Sequence, residues 1–161
     1  MKVIKTAELP EERVVELDDD GFVSHRILVK DDDTGYSMTK TIIPPGKARL
    51  WHYKHHIESC YCVSGRASLT NLETGQQWEI EPDTTYVLDN HEAHFFEARE
   101  TTTLICVFNP PLKGDEKHGK DGSYASPIDG FNSPVYEVRR VPMDKVIAND
   151  YNPNKVAPLR S

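Results

Sequence analysis

The feature that most narrows the fold is the cadence of turns. From Phe22 to Phe108, short runs of β-branched, aromatic and aliphatic residues are cut by clusters of Gly, Pro, Asn and Asp. Phe22–Lys30 stops at Asp31-Asp32-Asp33-Thr34-Gly35, and Tyr36–Ile43 stops at Pro44-Pro45-Gly46, a pattern that suggests a hairpin. Arg66–Leu72, closed by Glu73-Thr74-Gly75, then Gln76–Ile80, Tyr86–Leu88, His94–Ala98 and Thr102–Phe108 continue the series. No helical period lasts beyond two turns, and no internal repeat is present. Spacing of this kind predicts an all-β sandwich or barrel rather than alternating β-α units. Met1–Lys5 also reads as a short strand, and the acidic segment ending in Asp18-Asp19-Asp20-Gly21 as a turn and solvated face.

At 161 residues the chain is most simply one domain with a substantial core. Its 26 acidic and 19 basic side chains leave a net charge of −7, which argues against nucleic-acid or anionic-membrane partners and favours a small-molecule ligand. No run reaches the ~18 apolar residues of a membrane span, and the apolar start is too short for a signal peptide, so a cytoplasmic location is expected. The three cysteines, Cys60, Cys62 and Cys106, lack disulfide or zinc-finger spacing. Cys60 and Cys62 share a strand face. Buried, inert thiols are the plain reading, and a place in a site is the alternative for Cys106.

Residues 109–125 form a polar, glycine-bearing loop of the kind that often covers a binding site. Residues 126–161 hold five of the eleven prolines and one apolar patch, Pro134–Ile147. This tail reads as an extended wrap over the body or a partner subunit, or as partly disordered.

Chemistry is concentrated between Gly46 and Gly65, where His52, Tyr53, Lys54, His55, His56 and Glu58 are crowded together. Imidazoles and a carboxylate suit a divalent first-row metal, and a solvated histidine-rich loop is the plain alternative. Burying Glu58 unpaired would cost several kcal/mol, for which a cation is the natural compensation. Tyr86 leads the strand entering the next motif; it reads as a core aromatic or as an oxygen donor beside Glu58 and His94.

Gly46, His52, Glu58 and Gly65 resemble the first cupin motif, with Lys54 where a second histidine usually stands. A second cupin-like motif follows, with Asp83 in place of its glycine and His94 at its histidine. More specifically, His52–Glu58 with Tyr61-Cys62, Tyr86–His94, Cys106-Val107-Phe108, Gly114–His118 and Asp121–Ala125 are similar to the ectoine synthases, over about residues 1–125. That resemblance implies a cupin double-stranded β-helix barrel of six to eleven strands. The barrel would span 1–125, with an active-site loop at 109–125 and a Pro-rich extension over 126–161.

The family cyclises N-γ-acetyl-L-2,4-diaminobutyrate to ectoine with loss of water, as a hydro-lyase using iron held by Glu, Tyr and His. Carried over by motif, the metal ligands fall on Glu58, Tyr86 and His94. The metal would be Fe(II), with Zn or Mn as alternatives. Substrate contacts fall on Phe22, Arg26, Thr41, Tyr53, Cys106 and Phe108, and catalytic roles on Glu116, His118, Tyr53 and His55. Exposed strand edges in such small barrels are often covered by a second subunit, so a homodimer is expected. Arg26 as a surface charge, Phe108 as a core residue, and Glu116 and His118 as solvated loop groups are the plain alternatives.

The chain departs from the family at Phe22-Val23, where a Trp is usual, at Met38-Thr39, at Pro82-Asp83-Thr84 and in its longer tail. Two other readings stay open, the first motivated by Phe22 and Met38-Thr39, the second favoured only by loss of Glu58, Tyr86 or His94, all of which are present. One is a relative closing another acylated diamino acid or a glutamine-like substrate; the other is a non-catalytic cupin that binds a small ligand.

Overall fold

The structure, a computed structural model, describes residues 1–18 and 21–126. The Pro-rich extension expected over 126–161 lies outside the described residues, apart from Ser126. Ten strands are present: β1 (Val14–Asp18), β2 (Phe22–Leu28), β3 (Ser37–Ile43), β4 (Arg49–Trp51), β5 (Ile57–Ser64), β6 (Ala67–Asn71), β7 (Gln77–Ile80), β8 (Thr85–Leu88), β9 (His94–Ala98) and β10 (Thr102–Asn109). The helical elements among the described residues are three short 3₁₀ turns.

Two antiparallel sheets face each other. One has the order β1-β2-β3-β10-β5-β8 and the other β4-β9-β6-β7. The expected hairpin is the β2–β3 pair, in which Ser24 faces Thr41 and Arg26 faces Thr39. This all-β arrangement is the cupin double-stranded β-helix.

Alternation along the strands makes the interior. On β2, β3 and β10 every second residue is buried, as a pleated strand with one face on a core requires. Register then lines the inward residues into rows across the larger sheet. One row runs Ser24, Thr41, Leu104, Cys62. The next runs Arg26, Thr39, Cys106, Cys60, Tyr86, and a third runs Ser37, Phe108, Glu58, Leu88. The opposite sheet supplies the row Trp51, His94, Asn71. The floor of the cavity therefore mixes apolar and polar groups, while Ile43, Ile80, Phe96 and Leu104 pack as apolar core.

Three local expectations are corrected. Met1–Lys5 forms no strand within the described chain, because β-prone residues need a pairing edge and none of the described strands takes them. The acidic segment before Gly21 is not only a solvated face, since Val14–Asp18 pairs with β2 and buries Val15. Arg49–Trp51 is a strand, although its surroundings read as loop.

Gly65 turns the chain between β5 and β6 at φ +89°. A Cβ there would overlap the Thr101 carbonyl oxygen and approach Thr102 Cα to 2.6 Å. Both obstacles are backbone and cannot swing aside. Gly65→Ala combines left-handed strain with this overlap and is expected to lose about 3 kcal/mol of stability in urea unfolding. A loss below about 0.5 kcal/mol would show that the turn relaxes freely.

Candidate active site

Glu58, on β5, is buried and shares a row with Phe108. His94, the first residue of β9, enters from the opposite sheet, its Nδ1 bonded to the Glu92 carbonyl oxygen at 3.0 Å. Tyr86, on β8, is half-buried, yet its hydroxyl is enclosed. Glu58 Oε2, Tyr86 OH and His94 Nε2 are all buried without a hydrogen-bond partner. Buried polar atoms are satisfied in the great majority of cases. Only five side-chain atoms among the described residues share this condition, and three of them belong to the Glu, Tyr and His expected as metal ligands. An anionic oxygen, a phenol oxygen and an imidazole nitrogen suit a hard to borderline divalent cation.

The electrostatics agree. Burial pushes the Glu58 carboxyl up to about 7, offset only in part by the Cys60 and Cys106 thiols and the Arg26 guanidinium. Burial also holds the His94 imidazole below its ordinary value, so it is neutral and presents a lone pair. Burial raises the Tyr86 phenol well above its ordinary value. A cation among them reverses the penalty on each anionic form.

An enclosed cavity adjoins Glu58 and Tyr86. Phe22, Arg26, Thr41, Tyr53, Cys106 and Phe108, the six expected substrate contacts, all line it. Arg26 is fully buried. Its guanidinium donates to the Glu116 carbonyl oxygen at 3.0 Å and the Tyr124 hydroxyl at 3.3 Å, and its Nε has no partner. Tyr53 OH lies 2.9 Å from His118 Nε2. Burial, with repulsion from Arg26, drives the His118 imidazole down to about 4, so its ring is neutral near pH 7. His118 stacks on Tyr124 with ring centroids 4.5 Å apart, and on Trp51 at 5.7 Å.

Two expected catalytic residues sit differently. The Glu116 carboxylate accepts backbone N–H groups of Lys113 and Gly114, which ties the loop to itself, and Glu116 does not line the enclosed cavity. His55 is half-buried and does not line it either, while His118 meets the cavity through its hydrogen bond to Tyr53 rather than by lining it. Lys54, at the position of the missing cupin histidine, turns outward and pairs with Asp121 at 2.6 Å, tying the 110–126 loop to the segment after β4. Gly122 permits the same closure. At φ +75° it passes so close to β4 that a Cβ would overlap the Leu50 carbonyl oxygen and meet Trp51 Cα at 3.0 Å.

Trp51 and Tyr124 also line the cavity and were not singled out from the sequence. Trp51 alternates with Arg49 and Tyr53, a period-2 signal that would have found it. Tyr124 carries no such signal, because it reaches the cavity from an irregular loop.

The sign of the Glu58 effect yields a test. Between its ordinary 4.5 and about 7, the folded protein holds this proton more tightly than the unfolded chain, so rising pH removes stability. His118 acts oppositely, since falling pH below 6.5 favours the unfolded chain that can bind its proton. Replacing Glu58 isolates the first effect. In metal-free protein, Glu58→Gln is expected to gain about 2 kcal/mol relative to the parent between pH 5 and pH 8. A difference independent of pH would mean that the fold itself compensates the carboxylate.

Comparison with known proteins agrees with the geometry. Residues 1–128 match the profile of the ectoine synthase family. An L-ectoine synthase of Marinomonas sp. (strain MWYL1) is 44% identical over 117 residues, covering 73% of this chain and 90% of that one. The crystal structure of the ectoine synthase from P. lautus superposes with a TM-score of 0.65 at 35% identity, over 71% of this chain and 81% of that chain. The Cnp3 cupin domain of Schizosaccharomyces pombe, at 10% identity and a TM-score of 0.51 over 66% of this chain and 72% of its own, shares the fold alone. With its barrel, its buried Glu, Tyr and His and its matched residues 1–128, this chain belongs to the ectoine synthase family.

Proposed function

We propose that the protein is an L-ectoine synthase: a hydro-lyase that closes N-γ-acetyl-L-2,4-diaminobutyrate into the ectoine ring with loss of water. The observation that carries the reading is the set of unpartnered buried atoms on Glu58, Tyr86 and His94 beside a cavity that contains Arg26. These three residues would hold a divalent metal, Fe(II) first among the candidates. Once bound, the ion would supply Lewis acidity toward the acetamide oxygen.

The chain's own groups account for the remaining requirements. Arg26 would hold the substrate carboxylate, a role supported by its unpartnered Nε; a planar guanidinium suits that geometry better than an ammonium. Ring closure joins the α-amine nitrogen to the acetyl carbon, and both amine hydrogens leave with the carbonyl oxygen as water. The Tyr53–His118 pair is the proton-handling pair nearest the cavity. Neutral His118 accepts a proton that Tyr53 relays. Phe108 and Phe22 present apolar walls that keep the substrate chain bent for attack. With the 110–126 loop closed, the open space in the cavity is about 10 Å³, at the limit of one water. Substrate admission therefore requires that loop to open, and its return would exclude bulk water.

The same reading includes a cytoplasmic location and a homodimer. The first is supported by the acidic surface and by the lack, among the described residues, of a helix long and apolar enough to span a membrane. The second is supported by Ile57, Tyr61, Val63 and Val87, exposed together on the outer faces of β5 and β8. Phe22 keeps a related acylated diamino acid as the second reading, because it lines the cavity directly.

Purified protein reconstituted anaerobically with Fe(II) should form ectoine, and Glu58→Ala or His94→Ala should lose activity and bound metal together. Retained metal in either variant would assign the ligands elsewhere. Glu116→Gln separates two roles for that side chain. Near-parental kcat with a raised KM is expected if it shapes the loop, whereas a kcat loss on the order of 100-fold would mark it as the acid-base group.

A further inference from the structure

Glu58 and Cys106, which line the cavity, belong with Cys60 just behind them to a side-chain cluster that the proposed reaction does not use as a set. Cys60 and Cys106 are direct cross-strand partners on β5 and β10, both buried, with their sulfurs 3.4 Å apart. Glu58, on the same face of β5 two residues away, brings a carboxylate oxygen so close that all three donor atoms lie within 4.8 Å of one another. Glu58 Oε2 is buried and has no hydrogen-bond partner.

Those separations fit a metal ion. With metal–sulfur bonds of about 2.3 Å in tetrahedral geometry, two thiolates on one ion lie about 3.8 Å apart. The pair reaches that spacing by a small side-chain rotation. The donor chemistry sets the preference: two sulfurs favour thiophilic ions, while the phenol and imidazole of Tyr86 and His94 suit harder ones. We propose that Glu58, Cys60 and Cys106 form a second metal-binding position, selective for a thiophilic divalent cation such as zinc or cadmium. It competes with the Glu58–Tyr86–His94 set for the shared carboxylate.

Charge supports the assignment. A divalent cation with two thiolates and one carboxylate sums to one negative charge, and Arg26 lines the same cavity to offset it. Occupation would turn Glu58 toward β10 and take a ligand from the other set. A thiophilic ion seated on the two sulfurs would then empty the other set and block the enzyme by displacement. The inference concerns ion binding and stands whether or not ectoine is the product.

Cadmium tests it, because cadmium–thiolate bonds give a near-ultraviolet charge-transfer band that nitrogen and oxygen ligands do not. Metal-free full-length protein, kept reduced with a phosphine, is titrated with Cd²⁺. A band saturating at one ion per chain is expected. It should vanish in Cys60→Ala and persist in His94→Ala and in Cys62→Ala. Circular dichroism checks that each variant is folded, and Cys60→Val replaces Cys60→Ala if the smaller side chain unfolds the barrel. Cadmium-loaded protein should also retain at least tenfold less Fe(II) after anaerobic loading than cadmium-free protein. No band in the parent protein, a band surviving loss of Cys60, or a band lost from folded His94→Ala would each overturn the proposal.

Discussion

Glu58 occupies the inner face of β5 with one carboxylate oxygen that no protein donor reaches, and burying such a group uncompensated costs several kcal/mol. The surrounding architecture explains why the cost is tolerated. Strand alternation fixes the side chain inward, the register with β10 and β8 packs Phe108 and Leu88 beside it, and β9 brings His94 from the facing sheet. A core built only for stability would place an aliphatic residue there. A carboxylate, phenol and imidazole left without partners in one barrel are the donors of the coordination set proposed above, whose stabilisation would arrive with an ion.

Closure of the 110–126 loop depends on groups outside that set. Arg26 is held by the Glu116 carbonyl oxygen and the Tyr124 hydroxyl, so the residue suited to a substrate carboxylate is also the loop's anchor. Tyr53 reaches the loop through His118, and Lys54 through Asp121. The exposed Lys54–Asp121 pair contributes little stability by itself, since surface pairs are worth at most about 1 kcal/mol. The buried aromatic stack of Trp51, His118 and Tyr124 holds more surface away from water and is the stronger latch. Binding and covering would thus be coupled on the proposed reading, since a ligand carboxylate on Arg26 would compete for the donors that hold the loop.

Much of this was legible in the sequence, for identifiable reasons. Strands after Gly65 were bracketed by turn residues, and their alternation survived because one face is buried; Thr102–Phe108 is a strand as read. The resemblance pointed to Glu58, Tyr86 and His94, and the structure gives all three buried polar atoms without partners, whereas spacing alone left Tyr86 a core aromatic. The missed parts depend on partners distant in sequence. β1 is visible only through its pairing with β2, and β4 through its pairing with β9. The orientation of Glu116 could not be read, because it is set by Lys113 and Gly114 N–H groups in an irregular loop. Lys54 looked like a missing ligand and proved to be a tie to Asp121, a pairing across 67 residues.

The row Arg26, Thr39, Cys106, Cys60, Tyr86 crosses five adjacent strands. In a flat sheet its ends would be separated by four strand spacings, roughly 19 Å. Curvature brings both ends to the same cavity, which Arg26 and Tyr86 line together. On the proposed reading, a carboxylate-binding group and a metal ligand therefore face a common space from opposite ends of one row. A linear acylated diamino acid can engage both only when its chain is bent, with amine and acetamide brought together. Sheet curvature would then perform the part of the reaction that is entropic in solution, once the 110–126 loop has opened the cavity to its substrate.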